Sequence, residues 1–502
     1  MSIQSAAIIG LSVQPIHVEV DIAFGLRKFL IVGLPDRAVN ESAGRVEAAI
    51  KRSGLPFPRY KVTVNLAPAH LKKQGPSYDL PIAISLLAAQ GHLQLPSEPL
   101  IMLGELGLDG TVRHVDGVLP IVVEMKQRGH RRVFVPACNA QEAALVGEVE
   151  VIGVEHLKDL VAHLEGTQTI EPTTHTTTIS KEPAATPFDL CHVKGQERAK
   201  RALEIAAAGG HNILLSGPPG SGKTLLARSL PSILPQLTLD EALDITRIHS
   251  VSGALAGQSL VSNRPFQSPH HTTSGVALIG GGTNPKPGQV SLAHRGVLFL
   301  DEFPEFSKQA LENLRQPLED GTITVSRAAG TAEFPAKFML VAAMNPCPCG
   351  YASDPFHPCV CTPAQVVRYQ KKLSGPLLDR IDLHLEVPKI DIEKLEALEE
   401  GESSIDIQPR VQAARNTQTN RFQETDLVTN ADMGTRNIKD YCTLTKEARV
   451  ILGTAARSLH LSARAYIRVI KVSRTIADLA GEETISTAHI AEALQYRERI
   501  AN

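Results

Sequence analysis

The sequence predicts an α/β protein organised around a parallel sheet, followed by a helical region. Three observations predict this class. Residues 212–216 form a short apolar run. Gly217, Pro218, Pro219, Gly220, Ser221, Gly222, Lys223 and Thr224 follow it, and 225–230 reads as a helix. This is the complete G-x-x-x-x-G-K-[ST] pattern in the strand–loop–helix setting it requires. A second apolar run, 297–300, ends in Asp301 and Glu302, as a buried strand does when it delivers carboxylates to one edge of a sheet. From about residue 395 the spacing is helical: 411–421, 445–458, 463–480 and 487–497 repeat apolar residues near a period of 3.6.

The glycines of the loop let backbone N–H groups curl around an anion, and the helix start adds the positive end of its dipole. Lys223 is placed to reach the outer phosphates and Thr224 to set its hydroxyl on Mg²⁺. Asp301 would hold the same ion through water, and Glu302 would orient and polarise the attacking water. Residues 338–345 form a further strand that ends in Asn345. Its amide can hydrogen-bond a terminal phosphate or the water without adding charge. ATP and Mg²⁺ are therefore the expected cofactors.

A chain of 502 residues exceeds what one core covers, so roughly two to four domains are expected. The net charge of -2 gives no global attraction to polyanions, so any nucleic-acid site must come from local patches. No apolar run approaches a membrane span and the first residues lack a signal peptide, which predicts a soluble protein with no membrane partner. Seven cysteines, an odd number with four clustered, point to a reducing cytoplasm rather than a disulfide framework.

Residues 1–165 read as an α/β domain. Strands are expected at 15–24, 27–33, 61–65, 133–135 and 149–152, a helix at 40–50, and a turn at 74–80 opening a helix through Ala89. Residues 166–187, rich in Thr, Ser and Pro, read as a linker with little apolar surface to bury. Residues 188–394 form the nucleotide core and 395–502 a helical lid.

Three segments of the core carry further chemistry. Residues 245–300 contain no Asp or Glu but hold Arg247, Arg264, Lys286 and Arg295 with His249, His270, His271 and His294. Such a segment suits a phosphate backbone, DNA or RNA; a structural loop of accidental composition is the alternative. Strands at 322–327 and 334–340 flank 328–330 as a β-hairpin, with a helix at 311–318 before it. Arg327, Lys337 and Lys286 are the candidate nucleic-acid contacts, although a purely structural hairpin reads nearly as well. Cys347, Cys349, Cys359 and Cys361 form two C-x-C pairs able to close a tetrahedral Zn²⁺ site and staple 350–358. Free thiols or a regulatory disulfide are the other readings.

Residues 30–129 resemble the proteolytic domain of Lon-type proteases. Gly75-Pro-Ser77 stands where that family carries its nucleophile. The resemblance also calls for a lysine in the helix that starts at Asp116-Gly117. Val118-Leu-Pro-Ile121 offers none and Lys126 comes too late. A serine without a base is a poor nucleophile, so the domain reads as degenerate and Ser77 as a helix N-cap.

Gly195-Gln196, ahead of a helix, resembles the segment that AAA+ ATPases fold over adenine, and the hairpin resembles their pre-sensor hairpin. In hexameric relatives an arginine in a setting like 374–383 reaches the neighbour's ATP site, which implies Arg380 as a finger; a salt bridge to Asp379 or Asp382 is the alternative. Arg464, two residues past the helix cap Ser462, matches the second sensor, a lid arginine over the γ-phosphate, with Arg468 and Arg474 as rivals. Ser268-Pro-His-His-Thr-Thr, residues 291–302 and Asn345-Pro-Cys-Pro-Cys-Gly, joined to the degenerate domain, look like the ComM/YifB family across nearly the whole chain. The resemblance implies a degenerate Lon-like α/β domain, a linker, an AAA+ P-loop αβα core and a helical lid. It implies a hexameric ATPase acting as a DNA helicase or translocase, which drives branch migration during natural transformation. A magnesium-chelatase-type ATPase subunit and an ATP-dependent protease are the competing classes. The first lacks a D-x-S-x-S motif here and the second its lysine.

Overall fold

In the computed structural model, residues 3–96, 98–174, 187–255, 258–282, 285–327, 330–390 and 401–497 are described. The first sheet is built from β1 (Ile3–Ile9), β2 (Ser12–Ala23), β3 (Phe29–Val32), β4 (Lys61–Ala67), β5 (Leu100–Met102), β8 (Arg132–Pro136) and β9 (Glu150–Val154), with β6 (Glu105–Leu106) and β7 (Val112–Arg113) as a side ladder. The order is β3-β4-β2-β1-β5-β8-β9. β1–β2 and β2–β4 are antiparallel and the other pairs parallel.

Both faces of this sheet are covered. Leu100 and Met102 of β5 join the core formed with helices Arg37–Arg52 and Asp79–Ala89, while Ile101 between them joins the core beneath Val118–Gln127 and Ala140–Ala144. Period-2 alternation thus serves two apolar layers at once. The same fact explains a strand that sequence reading misses. β1 lies in the middle of the sheet with five of its seven residues buried, so it has no polar alternation to reveal it.

One local expectation in this domain is corrected. Ser77 is not the cap of the helix that follows it: Tyr78 is the N-cap residue, with no side-chain cap bond, and the Ser77 carbonyl instead accepts from Gly104 N (3.0 Å). The loop is pinned by Asp36, whose carboxylate accepts from Gly75 N (3.2 Å) and from Val39 N (2.8 Å). Gly33 shows how tightly β3 meets β4. Its φ is +104° and an added Cβ would lie 2.3 Å from the Leu66 carbonyl oxygen. Gly33→Ala is expected to destabilise this domain by about 1–3 kcal/mol, read as a lower midpoint of thermal unfolding; an unchanged midpoint would contradict this packing.

The second sheet takes its order from β11 (Phe266–Gln267), β14 (Val297–Leu300), β17 (Met339–Met344), β10 (Ile213–Ser216) and β18 (Leu383–Glu386), as β11-β14-β17-β10-β18. Every pairing is parallel, so the carboxyl ends of β10, β14 and β17 share one edge. Helix Glu197–Gly209 lies on one face and shares a single core with the C-terminal helices Ser404–Arg421, Lys446–Ser458, Ala463–Ala480 and Thr487–Gln495. Arg415 and Gln418 donate to the Ala207 and Ala208 carbonyls, giving partners to the open end of helix 197–209.

The other face carries the hairpin β15 (Thr322–Arg327) with β16 (Gly330–Pro335), and β12 (Gly280–Gly281) pairs with β13 (Lys286–Pro287) nearby. The expected second arm at 334–340 is corrected: it runs 330–335 and β17 is a separate core strand. The expected helix 311–318 is two helices, Lys308–Asn313 and Arg315–Asp320. Residues 175–186, within the expected linker, and the expected boundary at 395 lie outside the described residues. The linker's first residues are docked, since Thr173 N donates to the Val151 carbonyl (2.8 Å) and Ile170 packs on the first core.

The two sheets meet through specific contacts. Ser250 donates to the buried carboxylate of Glu142, which also accepts from Leu119 N (3.2 Å) and Asn139 (3.1 Å). The turn between β1 and β2 touches the hairpin: an added Cβ on Gly10 would meet Ala332 at 2.7 Å.

Candidate nucleotide site

The loop after β10 is shaped for an anion. Gly220 and Gly222 have φ of +74° and +88°, which side chains rarely adopt. A Cβ on Gly217 would lie 2.2 Å from the Val387 carbonyl, so only glycine lets the loop pass β18. The Ser221 hydroxyl is buried with no partner among the described residues. Lys223 is 9% exposed, held by the carbonyls of Gly217 (2.7 Å) and Pro218 (2.9 Å) and by Asn345 Oδ1 (3.3 Å). Burial pushes its pKa down, with Asp301 opposing. A buried ammonium held by neutral oxygens gains from an incoming phosphate.

Strand ends bring the rest together. Thr224 Oγ1 donates to Asp301 Oδ2 (2.8 Å), so a hydroxyl and a carboxylate stand side by side as oxygen ligands for a hard cation. Asp301 also accepts from Glu302 N (2.9 Å), with Glu302 in the left-handed region at φ +52°. Gly195 and Gln196 turn into helix 197–209 with φ of +64° and +57°, and Gln196 donates to the Pro388 carbonyl (2.6 Å), one residue beyond the Val387 that packs on Gly217. The residues expected to hold adenine, phosphates and Mg²⁺ thus converge on one edge, and their oxygen and N–H donors fit the group.

His271 is the neighbour that sequence reading places only among the cations of 245–300. Its Nδ1 lies 3.0 Å from Glu302 Oε2, and its ring is 4.1 Å from that of His270 and 6.5 Å from Phe306. The strand pairing supplies what the sequence does not: β11 pairs with β14, so the residues after Gln267 emerge beside those after Leu300.

Arg380 and Arg464 stand elsewhere. Both line a cavity of about 600 Å³ with Asn212, Gly296, Lys337 and Arg468. Asn212 and Gly296 precede β10 and β14, so this is the amino end of the sheet, on the order of 13 Å from the phosphate loop along β10. Arg464, expected over a γ-phosphate, lies away from its own chain's phosphate loop, 3.7 Å from Asp379. Arg380 pairs with Glu319 rather than with Asp379 or Asp382. The rivals are occupied structurally. Arg468 donates to the Ile381 carbonyl (2.5 Å) and lies 3.3 Å from Asp379, while Arg474 is buried against Asp478 (3.0 Å).

The four cysteines converge, with all four sulfurs within 4.8 Å of one another. Cys347 Sγ is 3.3 Å from Cys349 Sγ and 3.7 Å from Cys359 Sγ, and Cys349 N donates to Cys361 Sγ (3.4 Å). Tetrahedral Zn–S bonds set sulfurs about 3.8 Å apart, so the cluster fits the ion. A Tyr351 amide donating to Cys349 holds its pKa down to about 6, while desolvation and the adjacent Cys349 and Cys347 thiols push Cys359 up and Cys361 up to about 12, so Cys349 is the favoured thiolate of the four. Gly350 of this loop packs on Pro219 of the phosphate loop, where an added Cβ would come within 2.7 Å.

Two of the three candidate nucleic-acid residues, Lys286 and Lys337, lie on different surfaces. Lys286 lines a cleft facing Asp36, Glu105 and Asp116 of the first domain, and Lys337 covers Gly321 inside the Arg380 cavity. Arg327 ends β15, and its side chain is outside the described residues. Arg264 of the acid-free stretch is bound to Glu241 (2.8 Å) and to the Arg295 carbonyl (2.7 Å), and His294 is buried.

Comparison with known proteins settles the family. The chain is 43% identical to the uncharacterized protein YifB of Escherichia coli (strain K12) over 497 residues, 99% of this chain and 96% of that one. It is 42% identical to the competence protein ComM of Haemophilus influenzae over 502 residues, 99% and 97% of the two. The chain belongs to the ComM/YifB family. Three family descriptions match it in turn: "Subunit ChlI of Mg-chelatase" over 18–139, "Magnesium chelatase, subunit ChlI" over 189–395 and "Magnesium chelatase, subunit ChlI C-terminal" over 401–497. The chain therefore has a magnesium-chelatase-like AAA+ architecture, mixed α/β with parallel sheets and a helical C-terminal part, as expected. Such a family implies ATP and Mg²⁺ as cofactors. Likeness to the magnesium-chelatase 67 kDa subunit of Chlorobaculum tepidum is narrower, 28% over 160 residues, covering 31% of this chain and 23% of that one. Among the described residues no helix is long and apolar enough to cross a membrane.

Proposed function

We propose that this chain is an ATP hydrolase that assembles as a ring, hexameric like the helicases it resembles, and moves DNA. In this reading it promotes branch migration in homologous recombination during natural transformation. The observation that carries it is the division of the site between two ends of one sheet. Lys223, Thr224, Asp301, Glu302 and Asn345 gather at the carboxyl end, while Arg380 and Arg464 gather at the amino end. One chain cannot bring its own arginines to its own phosphates, whereas adjacent copies can share each triphosphate. Lys223 and the loop amides bind the phosphates, Thr224 and Asp301 hold Mg²⁺, Glu302 orients water, and the neighbour's arginines stabilise the charge on the transferring phosphoryl group.

The relative named a competence protein supports the DNA role. So does the stretch 245–300, which adds no carboxylate to repel a phosphate backbone. Lys286, Arg327 and Lys337 are the proposed contacts. Hydrolysis measured at low salt is expected to rise with single-stranded or branched DNA and to lose that response as salt increases. A rate indifferent to every DNA tested would reject the motor. The chelatase-type reading draws on the family descriptions, and the test is complementation of a magnesium chelatase that lacks its ATPase subunit. The protease reading has Ser77 but no lysine among Val118, Leu119, Pro120 and Ile121.

Zinc is proposed as a structural ion of Cys347, Cys349, Cys359 and Cys361. Purified protein is expected to carry about one zinc per chain, and Cys347→Ser to lose it together with part of its ATP affinity, because Gly350 braces Pro219. Metal analysis showing no zinc beside four freely titrating thiols would reject the site. Four clustered thiols kept as metal ligands fit the reducing cytoplasm proposed as its location.

A further inference from the structure

Arg380 is held in place by a residue outside its own segment. It forms an ion pair with Glu319 through Nη2 and donates to the Pro376 carbonyl through Nη1. The arginine side chain is 12% exposed and the glutamate 59%, and the guanidinium holds the Glu319 carboxyl below its usual range. Glu319 sits in the last turn of helix Arg315–Asp320, whose cap Gly321 (φ +67°) turns directly into β15. The base of the hairpin is tied to that turn. Ala336 N donates to the Gly321 carbonyl (2.8 Å), Lys337 covers Gly321, and Gln316 reaches Thr324 (3.5 Å). On the far side, Arg468 of the lid fixes the Ile381 carbonyl and Asp379. The finger segment is thus bracketed between the lid and the stem of the hairpin.

We infer that Glu319 is a positioning residue that parks Arg380 away from a neighbouring subunit's nucleotide until the β15–β16 hairpin moves. The inference rests on the reading of Arg380 as the finger. With Nη1 on the Pro376 carbonyl and Nη2 on Glu319, both terminal nitrogens are turned inward, and aiming that pair at a neighbour's phosphoryl group means leaving Glu319. The carboxylate partner is exposed, so water screens the pair from that side and a triphosphate, with more charge, can replace it. Once released, Glu319 faces water at little cost. A polymer held at the hairpin would pull on Gly321 and the turn that carries Glu319, so polymer binding and hydrolysis are coupled through this pair.

The test is steady-state ATP hydrolysis by the full chain, with and without single-stranded DNA, for the wild type, Glu319→Gln, Arg380→Ala and the double variant. Glu319 is exposed, so the amide is compatible with folding. Glu319→Gln is expected to raise the DNA-free kcat by about two- to fivefold, the range that release of an exposed ion pair supplies. KM for ATP should be unchanged and the DNA stimulation correspondingly smaller. A DNA-free kcat equal to or below the wild type overturns the latch. The double variant should be as slow as Arg380→Ala; a faster double shows that the gain bypasses Arg380 and also overturns it. Arg380→Ala turning over at wild-type speed rejects the finger itself. A wild type indifferent to DNA rejects only the motor, and the latch is then judged on the DNA-free rate.

Discussion

Arg380→Ala is expected to bind ATP with unchanged affinity and to lose about 10³–10⁵ in kcat. The reason is geometric. Arg380 opens on the cavity at the amino end of the sheet with Asn212 and Gly296, whereas the chain's own Lys223 and Asn345 meet at the carboxyl end. In the proposed ring, removing the arginine deletes a group that acts on another copy and leaves the local phosphate loop intact. The sharper form of the experiment mixes two dead variants. Lys223→Ala cannot hold nucleotide but keeps its arginines, and Arg380→Ala holds nucleotide but has no finger. In a mixed ring some interfaces combine a good loop with a good finger, so the mixture should hydrolyse faster than either variant alone. Rates that add as if each chain worked by itself would mean that the site is not shared, and the ring would fall with it.

Glu302→Gln is expected to bind ATP and Mg²⁺ and to hydrolyse about 10²–10⁴-fold more slowly, leaving a long-lived ATP-bound assembly visible by gel filtration or electron microscopy. Glutamine keeps the size of the side chain and a hydrogen bond, but cannot take a proton from water. Because Glu302 sits in the left-handed region with its carboxylate 3.0 Å from His271 Nδ1, its aim depends on that imidazole. His271→Ala should then lower kcat by less than Glu302→Gln and leave KM unchanged. A Glu302→Gln protein hydrolysing at the wild-type rate would require a different base.

Much of the fold was legible in the sequence, and the misses share a cause. The strands β4, β10, β14 and β17, the phosphate loop and the paired cysteines are contiguous signals. Each depends on a few neighbouring residues whose backbone must take one shape. β1 was not legible because a strand buried on both faces has no alternation. The Ser77 cap failed because the chain enters helix Asp79–Ala89 through Tyr78, with the Ser77 carbonyl already bonded to Gly104. The hairpin arm at 330–335 was misplaced because Thr331 and Glu333 interrupt its apolar pattern, while Phe334 and Phe338-Met-Leu340 read as one stretch.

By itself the sequence determined the parallel-sheet class, the phosphate loop from Gly217 to Thr224, the carboxylates at Asp301 and Glu302, and the clustering of four sulfurs. All of these arise from residues within a turn or a strand of each other. Only the tertiary structure decided that His271 faces Glu302, that Gly350 rests on Pro219, and that Arg380 and Arg464 share one cavity with Glu319 at the opposite end of the sheet from Lys223. Those placements depend on which strand lies beside which and on how separate helices pack across a common core. No short window of residues carries that information.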